Sequence, residues 1–170
     1  LEVIYKFYLY DASVGNTEIE HFIGPNRKDS LVEKLNKLKY KQLPLLHSNE
    51  CKLYLDQIHL KAEDIEQQVY FKAQLFVPFA KKELELKILN QNCISGFYIY
   101  QHDIKQFFNC KFYLPTKKDW LIEPNSNVEW LNFKAFNTEV DKLLARKFSP
   151  MVWMKQSNGE ISKLFVVWWK

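Results

Sequence analysis

The stretch "ELELK" at residues 83–87 sets Glu83, Glu85 and Lys87 at alternate positions. On a strand, alternate residues share a face. Two carboxylates on one face can hold a Mg²⁺ ion, and a lysine beside them can sit near an attacking water, which is the chemistry of a metal-dependent nuclease. Such a site also needs an upstream acid. Asp64 supplies it, with Asp56 as the alternative, so the candidate site is Asp64, Glu85 and Lys87. The same Glu-x-Lys pattern is common on solvated strand faces, where charge discourages edge pairing, and this is the third of three functional readings.

A second set of reactive types is His47 and Cys51, with His59, Cys93, His102 and Cys110. A zinc site needs four converging ligands. There is no Cys-x-x-Cys pair, and a single His-x3-Cys spacing supports little. No strand-to-helix elbow or neighbouring acid turns a cysteine and a histidine into a nucleophile and its base. Free cysteines more often pack as small hydrophobes. The sequence therefore implies no metal and no cofactor.

The third set interleaves lysines with aromatics in "FFNCKFYLPTKKDW", "VWMK" and "KLFVVWWK". Single-stranded nucleic acid is bound by lysines that track phosphates and by aromatic faces that stack on bases. Phe107, Lys111 and Tyr113 would share a strand face, with Lys117, Lys118 and Trp120 in the loop that follows and Trp153 nearby. Against this stands the plain alternative that the aromatics are core and the lysines are solvated. Tryptophan and tyrosine in excess of what a core needs also mark protein interfaces.

Composition narrows the field. The chain has 170 residues, 47% hydrophobic and 26% charged, so it can build a core. Aromatics make up 16% against four glycines, which favours a β-rich fold. Net charge is +4. Residues 1–100 hold 13 basic and 13 acidic residues, and residues 101–170 hold 11 and 7, so the whole excess lies in the last 70. That is a modest tilt towards an anionic partner. Three cysteines without paired spacing favour a reducing, intracellular setting. No apolar run approaches a membrane span. The start at Leu1 suggests a single domain, residues 1–170, cut from a longer chain.

The elements that must position these residues follow from periodicity. "LEVIYKFYLY" is a strand from Leu1, and "TEIEHFIG" its return. "DSLVEKLNKLKYKQLP" is a helix opened by a Ser30–Glu33 capping box. "CKLYLDQIHL" alternates as a strand. "VYFKAQLFVPFAKKELELKIL" is a hairpin whose return strand carries Leu84, Leu86 and Ile88, with a helix as the alternative. "ISGFYIYQ" and "QFFNCKFYLP" are strands. A helix spans 128–148, with Ser126 and Glu129 as its capping box. A hairpin turned by Asn158-Gly159 closes the chain. A two-residue turn there sets Lys155 opposite Ser162, Trp153 opposite Leu164 and Met151 opposite Val166, and puts Trp153 and Lys163 on opposite faces.

The expected fold is α+β: a mostly antiparallel sheet with two main helices and a C-terminal β-hairpin. The expected role is binding rather than catalysis, as a nucleic-acid-contacting accessory module of a larger intracellular assembly. The runner-up is a protein-interaction module with no nucleic-acid role. Expected partners are single-stranded nucleic acid, protein subunits or both, and no membrane.

Overall fold

The computed structural model describes residues 2–169, with side chains from Ile4 to Trp169. Leu1, which opens the expected first strand, lies outside the described residues. Seven strands form one sheet in the order β2-β1-β3-β4-β7-β6-β5. In chain order they are β1 (Glu2–Tyr10), β2 (Phe22–Ile23), β3 (Val69–Pro78), β4 (Ile94–Tyr100), β5 (Lys111–Tyr113), β6 (Met151–Lys155) and β7 (Ile161–Val167). The helices are α1 (Leu31–Lys37), α2 (Asn49–Gln57) and α3 (Phe133–Ala145). A π turn at Leu38–Gln42 extends α1.

The fold is α+β, but the sheet is mixed rather than mostly antiparallel. β1, β3, β4 and β7 run parallel, and antiparallel pairing is confined to β1–β2, β5–β6 and β6–β7. The reason lies in burial. Leu75–Val77, Phe97–Ile99 and Leu164–Val167 are unbroken buried runs. Strands covered on both faces read that way, and parallel strands are such strands.

Each face has its own cover. On one face α3 lays Phe136, Val140 and Leu144, one turn apart, against Phe112, Val152, Leu164 and Val166. Phe112 and Phe136 stack with ring centroids 3.9 Å apart. At the β1–β3 end of the same face, Leu31 of α1 meets Tyr8 and Leu75. Among the described residues, no α-helix contributes to the core cluster on the opposite face. There Trp120, from the segment between β5 and α3, packs edge-on to Phe165 at 5.2 Å and to Phe7 at 5.5 Å. Each buried aromatic of this kind contributes on the order of 1.5–3 kcal/mol.

Several elements differ from the sequence reading. Residues 51–60 are not a strand. Ser48 accepts a hydrogen bond from the Cys51 N–H and starts α2, and this cap overrides the alternation of "CKLYL". The expected return strand through 84–88 does not form. That segment is irregular, and the Glu18 carboxylate accepts from the backbone N–H groups of Lys87, Ile88 and Leu89 at 2.6, 2.9 and 2.8 Å. The 3₁₀ turns of residues 101–107 take in Gln106 and Phe107, the expected start of the "QFFNCKFYLP" strand, and β5 is only three residues long. The Ser30 cap on α1 forms as expected. For α3 the cap is Asn132, which accepts from the Ala135 N–H at 3.0 Å, and not Ser126.

The two-residue Asn158-Gly159 turn is replaced by a three-residue loop, Ser157–Gly159. Gln156 donates to the Glu160 carbonyl and Gly159 to that of Gln156, and Gly159 takes φ +88°. This is a turn followed by a glycine bulge. It moves the β6–β7 register by one residue. Trp153 faces Lys163, Lys155 faces Ile161, and Met151 faces Phe165. A one-residue shift transfers every side chain of one strand to the other face, so Lys163 joins Trp153 instead of opposing it.

Candidate functional site

The face opposite α3 is where the chemistry-bearing residues gather. β5 puts Lys111 and Tyr113 on it, directly across from Lys155 and Trp153 of β6. Phe112 between them points into the core and is fully buried. Leu131 exchanges two backbone hydrogen bonds with Phe112, at 2.7 and 2.9 Å. The segment carrying Trp130 therefore runs along the outer edge of β5. Trp130 sits 6.4 Å from the Tyr113 ring, and Lys155 Nζ lies 5.6 Å from the Trp130 ring. Lys111, Trp130 and Lys155 line one open cleft of about 380 Å³ with Asn109 and Gln156.

Two lysines directly opposed across a strand pair repel each other. Among the described residues, no carboxylate lies within 4.0 Å of either Lys111 or Lys155. The half-buried indole beside them is a flat apolar surface with the Lys155 ammonium near its ring. Such a cleft can accept a planar ring against Trp130 and an anionic group against the lysines.

A second open cleft, of about 520 Å³, lies on the other side of Trp153 and is lined by Lys163, Lys82, Ser162 and Gln74 among others. Lys163 is only 9% exposed. Its ammonium donates to Gln74 Oε1 at 2.9 Å and lies 4.6 Å from the Trp153 ring centroid. Burial pushes the amine below the ordinary lysine value, and the Glu123 carboxylate opposes that shift. Gly96 keeps the floor of this cleft flat. A Cβ there would meet the Lys163 carbonyl oxygen and the Phe76 ring.

The residues singled out from sequence divide into two groups. Lys111, Tyr113 and Trp153 are brought to one face, with Trp153 only 8% exposed. Lys117 and Lys118 are exposed on a 3₁₀ turn in the segment that covers this face. Phe107 and Trp120 are core, at 8% and 4% exposure, because the short β5 withdraws Phe107 from the strand and Trp120 caps Phe165. Trp130 is not among the residues singled out, and Lys155 and Lys163 stand in the quoted stretches "VWMK" and "KLFVVWWK" without being named as site residues. The capping-box assignment placed Trp130 inside a helix, and the turn assignment sent Lys163 to the wrong face.

The carboxylate set is placed differently. Asp64 ends a 3₁₀ turn, and Glu85 and Lys87 lie in the irregular 82–90 segment, so the strand alternation that set Glu83, Glu85 and Lys87 side by side does not apply. Among the described residues there is no cluster of three or more His, Cys, Asp and Glu side chains able to hold a metal ion. Cys51, Cys93 and Cys110 are unpaired and half-buried. No helix among the described residues is long and apolar enough to cross a membrane.

No curated protein and no solved structure matches the chain. Its sequence does match the family described as "Domain of unknown function (DUF1853)" over residues 1–167, and the chain belongs to that family.

Proposed function

We propose that the chain is a binding module that contacts single-stranded nucleic acid through the sheet face opposite α3. The observation that carries the reading is the juxtaposition of Lys111 and Lys155, opposed across the β5–β6 pair and lining one cleft with Trp130. Like charges facing each other are a local cost, and a bound phosphate relieves it. The adjacent indole and the Tyr113 ring offer stacking that any base can use. Lys117 and Lys118 extend the positive charge along the covering segment.

The working chemistry is electrostatic contact with the backbone plus stacking, without a chemical step. Affinity for a single-stranded oligonucleotide should be measurable at about 50 mM salt and should fall steeply as salt rises, through counterion release. Lys111→Glu with Lys155→Glu should lower the slope of log affinity against log salt by about 2, one unit for each phosphate contact removed. Trp130→Ala should weaken binding by about 1–3 kcal/mol without altering that slope. An affinity indifferent to salt and to these substitutions would return the face to the runner-up reading, a protein-interaction surface.

A further inference from the structure

The second cleft carries an unbalanced charge. Lys163 is nine-tenths buried, and among the described residues no carboxylate comes within 4.0 Å of its nitrogen. A buried ammonium is expensive unless it is paired. It has three N–H donors, and among the described residues one acceptor is hydrogen-bonded to it, Gln74 Oε1. The same cleft holds a second lysine, Lys82, whose ammonium lies over the Phe79 and Phe97 rings at 3.9 and 4.7 Å and is likewise without a carboxylate partner among the described residues. The single opposing group is Glu123, which is exposed and lines the cleft without pairing with Lys163.

We propose that this cleft binds a phosphate monoester, held by Lys163 and Lys82. Two cations match a dianion better than a singly charged carboxylate, and a tetrahedral phosphate offers the oxygens that these donors lack. A space of about 520 Å³ admits more than an inorganic ion, and the Trp153 ring walls it on one side. The monoester can be the terminal phosphate of a strand or that of a free mononucleotide. The inference needs only the cleft, and it stands whether or not the neighbouring Trp130 cleft binds a strand.

The test is a titration of the whole chain with matched ligand pairs. One pair is a nucleoside and its monophosphate. The others are a single oligonucleotide with a hydroxyl, a 5′-phosphate or a 3′-phosphate at its end. At least one phosphorylated member should bind about tenfold more tightly than its unphosphorylated partner, the gain expected of one or two charge-assisted hydrogen bonds. Lys163→Met and Lys82→Ala should each remove that gain, and Glu123→Gln should increase it. A gain confined to the oligonucleotides identifies a strand end as the source, and one confined to the mononucleotide identifies a free nucleotide. If the mononucleotide pair differs while no strand binds at low salt, the strand reading fails and the phosphate cleft stands. Equal affinity within every pair of the wild-type chain, or a gain that survives both lysine substitutions, overturns the proposal.

Discussion

The Lys163 ammonium lies 4.6 Å from the centroid of the Trp153 ring, its direct partner across β6 and β7. The indole face attracts the cation, and Gln74 Oε1 accepts a hydrogen bond from it. Neither contact restores the hydration that burial removes, so burial lowers the pKa of the amine, with Glu123 opposing. The charged lysine is therefore a cost to the unliganded fold.

Lys163→Met should be neutral or stabilising by about 1 kcal/mol at pH 7, since an apolar side chain of similar length replaces an unpaired charge. The sign of the pH dependence follows from linkage. The folded-state value is lower than the unfolded one, so between the two the unfolded chain binds more protons and wild-type stability rises with pH. The advantage of Lys163→Met should thus shrink from pH 7 towards about pH 10, where free lysine titrates. Urea denaturation of both chains across that range measures it, and a difference that stays constant contradicts the account.

How far the site could be read in advance turned on single local choices. Asn158-Gly159 reads as a two-residue turn, yet Gly159 closes a three-residue loop, and that one extra residue decides which side of the sheet Lys163 occupies. The buried runs of β4 and β7 marked strands, but their parallel pairing depends on crossovers of many residues, for which local patterning carries no signal. Lys111 and Tyr113 share a face because two-residue alternation is intrinsic to a strand, and this much was legible. Trp130 was not. Its place beside Lys155 depends on Leu131 bonding to Phe112, a contact across 19 positions.

Glu18 holds the 87–89 segment from 69 or more positions away, through three backbone N–H donors. Desolvation raises its carboxyl, but the bonds from Lys87, Leu89 and Ile88 outweigh that and hold it below the ordinary value. Stability from this contact is therefore present above the ordinary carboxylate range and is lost as pH falls through the lowered folded-state value. Glu18→Gln should cost about 1 kcal/mol at neutral pH, a figure kept small by partial exposure, and less in acid. Amide hydrogen exchange at Lys87, Ile88 and Leu89 should accelerate in the variant. Unchanged exchange there would show that the segment is held by its apolar contacts instead.

Gly96 follows Ser95, the extra residue of β4 where its register against β3 shifts between Leu75 and Phe76. A Cβ at this position would lie far inside contact distance of the Lys163 backbone oxygen, and 3.0 Å from the Phe76 ring. The ring edge can give a little. The carbonyl belongs to the neighbouring strand and cannot move without opening the β4–β7 ladder, which is paired from Phe97–Leu164 onwards. Gly96→Ala should therefore cost about 3 kcal/mol or more, the upper end for overpacking, because the clash is with backbone. Gly159→Ala is the control, since its Cβ would meet nothing within 4 Å and its only penalty is a positive φ; it should cost about 1 kcal/mol. The first variant should also displace Lys163 and weaken phosphate monoester binding, and the second should leave it intact. Equal losses of stability in the two variants would mean that the Lys163 carbonyl gives way, and that the close approach of β4 to β7 does not set a strict requirement for glycine at position 96.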